Sequence, residues 1–184
     1  LSDLLADVRA LQIVGNADVE VVALEYDSRR VEAGHCFFAV VGTASDGHSY
    51  IASSIERGAM AIVCQRLPEE VKEGVAYVVV EDSNVAMAAM AAAFYDHPSE
   101  EMHLVGVTGT NGKTTTATLL YDMFTALGYR VGLISTVVYR IGNETIASTH
   151  TTPDSIRLNQ MMRRMVDSGC DYCFMEVSSH AAAQ

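Results

Sequence analysis

The segment Val107–Thr116, VTGTNGKTTT, has the residue types of a phosphate-binding loop. It contains Gly-Lys-Thr, but the Walker A pattern requires a glycine five positions before the glycine of that triplet, where this chain has Val107. Small residues let backbone N–H groups turn inward around phosphate oxygens, and a helix N-terminus adds about half a positive charge. Lys113 would reach the outer phosphates, and the Thr114 hydroxyl would join a Mg²⁺ shell. The segment therefore predicts a phosphate loop of a different family, with an ordinary turn bearing a surface lysine as the alternative.

The residues predicted to contact the phosphates are those of the loop and the first helical turn: Gly109, Thr110, Asn111, Gly112, Lys113, Thr114 and Thr115. Glu176 lies near the end of the apolar run YCFMEV, which has the character of a buried strand. Ligands bind at the carboxyl edge of open α/β sheets, so a carboxylate there is placed to hold Mg²⁺ directly or through water. Lys113 and Glu176 are the predicted catalytic residues, and Thr114 and Glu176 the predicted metal ligands. A solvent-exposed Glu176 is the alternative.

Three other polar motifs follow or precede apolar runs. YDSRR, residues 26–30, follows a predicted strand, and GTASDGH, residues 42–48, follows CFFAVV. On residue types alone both are turns, because Asp and Ser side chains hydrogen-bond nearby backbone. Thr152 before Pro153 has the pattern of a helix start, with Thr at the N-cap and Pro at the first helical position.

The elements that would position these motifs alternate between strands and helices. In the front half the predicted strands are CFFAVV, AMAIVC and AYVVV, and the predicted helices are DLLADVRAL, HSYIASSIERG and NVAMAAMAAAFYDH. The segment DHPSEEM breaks this pattern, so we predict two domains, 1–98 and 99–184. The class is α/β.

The second domain is expected to contain a mainly parallel sheet flanked by helices. Its predicted strands are HLVGV, VGLIS and YCFMEV, with VVYRIGNETIAS as a hairpin and TTPDSIRLNQMMRRMVDSG as a helix. The helix after the loop is expected to bury Leu119, Leu120, Met123, Phe124 and Leu127 on one face. Three strands or so make a poor independent domain, so the chain is expected to be the front part of a longer, truncated unit.

Composition restricts the function classes. The 184 residues carry 12 Lys+Arg against 23 Asp+Glu, a net charge of -11, which disfavours a nucleic-acid partner and requires local features to hold any polyanion. No apolar run approaches the roughly 20 residues of a membrane span, so we predict no membrane insertion and a cytoplasmic location. The four cysteines form no second pair at zinc-site spacing and are interpreted as structural.

Four motifs together resemble the Mur ligases. GTNGKTTT is similar to the ATP loop of that family and of its folylpolyglutamate synthetase relatives, which use a Gly-Thr-Asn-Gly-Lys-Thr variant. YDSRRVEAGHCFFAVVGTASDGHSYI resembles the front domain that binds the uridine nucleotide in two of these ligases. THTTPDS and MEVSSHAAAQ resemble the family member that adds the third peptide residue. The resemblance implies a small N-terminal α/β UDP-binding domain followed by the first part of a P-loop ATPase domain.

The resemblance also implies substrate contacts and an activity. The implied substrate-binding residues are Tyr26, Ser28, Thr43, Ala44, Ser45, His150, Thr151, Thr152, Ser178 and Gln184. His150 stands where the family often has Asn, and His180 matches the motif but has local packing as its alternative. Arg29 offers paired donors for a pyrophosphate.

The implied enzyme uses ATP and Mg²⁺ to phosphorylate the D-Glu carboxylate of UDP-N-acetylmuramoyl-L-Ala-D-Glu. The acyl phosphate is then attacked by L-lysine or meso-diaminopimelate, a choice that the sequence leaves open. We expect a monomer, and we expect the chain alone to be inactive. The alternatives are the fourth-step ligase, which adds D-Ala-D-Ala, and a non-catalytic nucleotide-binding module.

Overall fold

The computed structural model describes residues 1–42, 45–142, 144–147 and 153–177. The chain divides into two compact units, Leu1–Phe94 and Tyr95–Gln184. The connection passes through Asp96 and His97, whose φ angles are 56° and 46°. The boundary predicted at 98/99 lies in this same connecting segment.

The first unit contains a five-stranded sheet in the order β1-β5-β4-β3-β2. Its strands are β1 Ala10–Val14, β2 Ala23–Glu25, β3 His35–Phe38, β4 Ala61–Cys64 and β5 Ala76–Val80. β2, β3, β4 and β5 pair in parallel, and β1 pairs with β5 in the antiparallel direction. β4 and β5 are buried at every residue, as strands covered on both faces require, so the predicted apolar runs are confirmed.

Among its described residues the first unit has two α-helices, α1 Ile51–Glu56 and α2 Ser83–Phe94. It also has short 3₁₀ helices at Ser2–Leu5, Ser28–Arg30 and Gly47–Tyr50. The predicted first helix is wrong beyond its opening turn, because the chain enters β1 and leaves Leu11 59% exposed. Pairing with β5 satisfies this backbone, and a nine-residue helical pattern is too short to compete.

The second unit contains a sheet in the order β6-β10-β7-β8-β9. Its strands are β6 His103–Val107, β7 Val131–Ile134, β8 Val138–Ile141, β9 Glu144–Ala147 and β10 Tyr172–Glu176. β6, β10 and β7 are parallel, whereas β8 and β9 form the predicted antiparallel hairpin at one edge. The carboxyl ends of the three parallel strands therefore meet at a single edge.

The described part of the second unit has two helices, α3 Lys113–Ala126 and α4 Ser155–Asp167. α4 packs Met161, Met162 and Met165 into the core. The face predicted for α3 is partly wrong. The residues that α3 packs inward are Ala117, Leu120, Tyr121 and Phe124. The residues that it leaves 50% or more exposed are Leu119, Met123 and Leu127, which we call the α3 stripe. The prediction followed the large aliphatic side chains, whereas Ala117 and Tyr121 are the residues of α3 that are buried.

Candidate active site

The phosphate-loop segment connects the end of β6 to the start of α3 and is largely exposed. Gly109 has a φ of 148°, and Gly112, the N-cap of α3, has a φ of 80°. An added Cβ would meet nothing closer than 3.7 Å at Gly109 and nothing within 4 Å at Gly112. Both glycines are therefore required by the backbone conformation, and the space beside them is open.

The start of α3 presents backbone donors to this open space. Its first helical hydrogen bond runs from the Thr116 N–H to the Gly112 carbonyl, at 2.8 Å. The N–H groups before it have no intrahelical acceptor, as in any helix. The Lys113 ammonium folds back and donates to the Gly109 carbonyl at 2.7 Å. Backbone N–H groups without an intrahelical acceptor and a lysine ammonium thus lie at the same loop, a combination that favours phosphate.

Glu176 is the last residue of β10 and is paired in register with Val107, the last residue of β6. Its side chain is buried, with the residue 7% exposed, so the alternative of a solvent-facing Glu176 is wrong. The Thr114 hydroxyl lies 3.0 Å from each carboxylate oxygen. The two residues predicted as metal ligands are brought together by the parallel pairing of β6 and β10.

Thr136 is a third member of this cluster, and sequence reasoning missed it. It follows β7, the other parallel neighbour of β10. Its N–H and its hydroxyl lie 3.1 and 3.2 Å from the same oxygen of Glu176, Oε2. The available signal was a polar residue just beyond a predicted strand, but using it required the strand order.

The oxygen atoms of Glu176 and Thr114 fit a hard divalent cation. The partners of the carboxylate are two hydroxyls and one N–H, all able to donate to an ionised acid. A carboxylate and a hydroxyl oxygen beside a phosphate site are the oxygen ligands that Mg²⁺ uses with nucleotides. The residues present therefore fit the cation that the sequence predicts.

The YDSRR motif in the first unit is organised by a buried carboxylate, Glu25, which sequence reasoning also missed. Glu25 ends β2, and its Oε1 accepts the N–H groups of Tyr26 and Asp27, both at 3.0 Å. Its Oε2 lies 3.1 Å from Nε of Arg30. Tyr26 is 42% exposed, and Ser28 is half-buried at the start of the 3₁₀ helix. The predicted substrate residues are thus presented by a fixed turn.

Asp27 caps that 3₁₀ helix and binds Arg29. It accepts the Arg29 N–H at 3.0 Å and two guanidinium hydrogen bonds at 2.9 and 2.7 Å. The guanidinium hydrogen bonds are the main reason that the pKa of Asp27 falls to about 2. Arg29, expected at a pyrophosphate, has its paired donors directed at Asp27 in this structure.

The GTASDGH motif is described except for Thr43 and Ala44. The Gly42 N–H donates to the Ser45 carbonyl at 2.9 Å. Asp46 accepts from the backbone N–H and Nδ1 of His48, and Arg66 donates to its other oxygen. These donors, the His48 N–H first, hold the pKa of Asp46 well below its usual range. His48 thus has a structural role here, since both of its ring nitrogens are hydrogen-bonded within the protein.

Several predicted site residues lie outside the described part of the chain. They are Thr43, Ala44, His150, Thr151, Thr152, Ser178, His180 and Gln184. The helix start predicted at Thr152 and Pro153 is wrong, because Asp154 is the N-cap of α4 and accepts the Arg157 N–H at 2.8 Å. An Asp at this position outcompetes a start two residues earlier, since it can cap the third helical N–H.

Among the described residues, no helix is long and apolar enough to cross a membrane. A parallel strand, a glycine loop and a helix, with a carboxylate at the end of the neighbouring strand, define the class of P-loop α/β folds. Two family models match this chain: Mur ligase middle domain over residues 107–184, and Mur ligase family, catalytic domain, over residues 20–95. The chain belongs to the Mur ligase family.

Its relatives include proteins named UDP-N-acetylmuramoyl-L-alanyl-D-glutamate--2,6-diaminopimelate ligase. The one from Bacteroides fragilis is 53% identical over all of this chain and 38% of its own length. The one from Cytophaga hutchinsonii is 52% identical, again over 100% of this chain and 38% of the relative. The chain therefore spans a little over a third of the length of the curated relatives it matches.

Solved structures share the fold. A structure of a UDP-N-acetylmuramoyl-L-alanyl-D-glutamate--2,6-diaminopimelate ligase has a TM-score of 0.70 at 22% identity and covers 89% of this chain and 33% of that one. MurF from Acinetobacter baumannii has a TM-score of 0.66 at 19% identity, with 97% and 35% covered. MurF from Thermotoga maritima in complex with ADP has a TM-score of 0.55 at 24% identity, with 89% and 34% covered.

Proposed function

We propose that this chain forms part of an ATP-dependent ligase that joins 2,6-diaminopimelate to UDP-N-acetylmuramoyl-L-Ala-D-Glu in peptidoglycan synthesis. The observation that carries the chemistry is the contact of Thr114 with both oxygens of the buried Glu176, directly behind the phosphate loop. The substrate assignment is supported by the names of relatives that are 53% and 52% identical over the whole chain. Those names favour diaminopimelate over lysine.

The loop residues 109–115 would surround the phosphates of ATP, with Lys113 on the outer phosphates. Thr114 and Glu176 would supply oxygen ligands to Mg²⁺. Magnesium bound there supplies positive charge that offsets the charge on the transferred phosphoryl group. Because Glu176 is buried and hydrogen-bonded by Thr114 and Thr136, its carboxylate would be held in place for this role.

The reaction would proceed in two steps. An oxygen of the D-Glu carboxylate attacks the γ-phosphorus of ATP, and the bond to the β-phosphate oxygen breaks to give an acyl phosphate and ADP. The amine of diaminopimelate then attacks the acyl carbon, releases phosphate and loses a proton as the amide forms. The chain's own residues would act by positioning and by charge stabilisation, the main sources of rate in phosphoryl transfer.

The front unit would bind the UDP portion of the substrate. The described residues that support this are Tyr26, Ser28 and Ser45, which lie on turns fixed by Glu25 and Asp46. Thr43, Ala44, His150, Thr151, Thr152, Ser178 and Gln184 remain predicted contacts. We propose a monomer in the cytoplasm, where ATP and nucleotide-linked precursors are found.

Product analysis tests this function in the full-length protein, meaning this chain extended to the length of its relatives. With UDP-N-acetylmuramoyl-L-Ala-D-Glu, Mg·ATP and diaminopimelate, we expect equal amounts of ADP, phosphate and the UDP-muramoyl tripeptide. L-Lysine in place of diaminopimelate should give much less product. Ligation of D-Ala-D-Ala to the tripeptide instead would establish the fourth-step ligase, whose relatives share the fold. Nucleotide binding without ADP formation would establish a non-catalytic module.

A further inference from the structure

We propose that Thr136 is a positioning residue that fixes the Glu176 carboxylate for a divalent cation, without itself binding the cation. This inference rests on the proposed function, because it concerns the same cation site. Its basis is that one residue directs two donors, a backbone N–H at 3.1 Å and a hydroxyl at 3.2 Å, to Oε2 of Glu176. Oε1 receives only the Thr114 hydroxyl among the described residues.

The Thr114 hydroxyl alone does not fix the carboxylate. It is equidistant from the two oxygens, at 3.0 Å each, and a hydroxyl has a single proton to donate. The same hydroxyl oxygen is also the predicted cation ligand on α3. The two Thr136 donors distinguish Oε2 from Oε1, so the orientation of the carboxylate depends on Thr136.

The turn that carries Thr136 is closed by hydrogen bonds of Ser135. Ser135, which is 3% exposed, donates its hydroxyl to the Val138 carbonyl at 2.8 Å. The same hydroxyl accepts the N–H of Val138 at 3.1 Å, and the Ser135 N–H also donates to the Val138 carbonyl. At the β7–β8 turn, the buried hydroxyl of Ser135 thus supplies hydrogen bonds to both backbone groups of Val138. These hydrogen bonds within the chain set the direction of the Thr136 N–H.

Fixing the carboxylate in advance removes an ordering cost from cation binding. A glutamate side chain loses rotational freedom when it is held, and a metal ligand held by its neighbours has already lost it. Changes to groups that orient a metal ligand typically cost about 10- to 100-fold in metal affinity. Only the hydroxyl of Thr136 can be removed by substitution, so we expect the lower end of that range.

The test measures Mn²⁺ binding by electron paramagnetic resonance in the ADP-saturated full-length protein. Thr136→Val removes the hydroxyl with little change of volume, and Thr136→Ala removes it if the valine variant does not fold. Each should raise the Mn²⁺ dissociation constant about tenfold. Thr136→Ser should remain within about twofold of the parent, because it keeps both donors. Thr145→Val, at an exposed position on β9, is the matched control and should also bind as the parent does.

A second measurement separates positioning from general damage. ADP affinity with EDTA present should be the same in Thr136→Val and the parent, since Thr136 acts only through Glu176. Unchanged Mn²⁺ affinity in Thr136→Val and Thr136→Ala, or an equal loss of metal-free ADP affinity, would overturn the inference alone. If the parent protein bound neither ADP nor Mn²⁺·ADP, the proposed function would fail with it.

Discussion

The Lys113 ammonium lies 2.7 Å from the carbonyl oxygen of Gly109, so the first residue of α3 is bonded across the loop that precedes it. A phosphate group would offer the lysine a charged acceptor in place of a neutral one. Hydrogen bonds to charged groups contribute about 1.5–3 kcal/mol, so Lys113→Ala should weaken ADP binding about 10- to 100-fold. Isothermal titration calorimetry with Mg·ADP measures this change.

Lys72→Ala is the matched control for that substitution, because Lys72 is the only other lysine and lies exposed in the first unit. It should bind Mg·ADP as the parent does. Equal binding by Lys113→Ala and the parent would exclude Lys113 from the phosphate site.

Gly112→Ala should reduce both stability and nucleotide binding. At a φ of 80° an L-residue costs about 1–2 kcal/mol, although nothing lies within 4 Å of the added Cβ. Gly128, just beyond α3, has a φ of 92° and equally open space, so Gly128→Ala should cost a similar amount. Urea unfolding should show both losses. Only Gly112→Ala should also weaken Mg·ADP binding, and a comparable loss in Gly128→Ala would contradict a local role for Gly112.

Glu25→Ala should destabilise the first unit and weaken binding of the UDP-linked substrate. It leaves the N–H groups of Tyr26 and Asp27 without their buried acceptor, at a cost of about 1–3 kcal/mol. Glu25→Gln keeps a carbonyl oxygen for those N–H groups and loses only the contact with the exposed Arg30. Thermal unfolding with and without UDP-muramoyl dipeptide distinguishes them. We expect Glu25→Gln to resemble the parent. If Glu25→Gln lost as much stability and binding as Glu25→Ala, the negative charge of Glu25 would matter rather than the hydrogen bonds that it accepts.

The contribution of Asp27 to the free energy of unfolding should decrease as the pH becomes acidic. Its pKa falls from 3.8 to about 2 on folding, so it binds its proton less readily in the folded state. That contribution is complete above about pH 4 and is lost as the pH falls towards about 2. The free energy of unfolding of Asp27→Asn should therefore lie below that of the parent at pH 6, with a difference that narrows as the pH falls from about 4. If the difference in free energy of unfolding between the two proteins stayed constant from pH 6 to pH 3, the lowered pKa of Asp27 would be contradicted.

The predictable features were those encoded within a few residues. The strands β3, β4, β5 and β10 are short apolar runs, and the phosphate loop is contiguous in sequence. Glu176 was found because strand ends in parallel sheets collect ligands, a rule that needs no detailed topology.

The features that were missed depend on which elements become neighbours. β1 required the partner β5 to prevail over a helical pattern. Thr136 required knowledge that β7 lies beside β10, and Glu25 required knowledge that its strand end is buried. The inward face of α3 contains Ala117 and Tyr121. Neither residue type marks a buried position as clearly as Leu or Met does, so the sequence pattern pointed to the wrong face. Tertiary contact decided each of these positions.

β6 forms one border of its sheet, and Val105 in its middle is 37% exposed. Among the described strands, nothing pairs with its outer side, and the α3 stripe adds apolar side chains to the same unit. An unpaired edge strand can form hydrogen bonds with a strand of another chain, and exposed apolar side chains favour such association. Any form of the protein in which this edge stays uncovered should therefore self-associate as its concentration rises, and light scattering would detect particles larger than the proposed monomer.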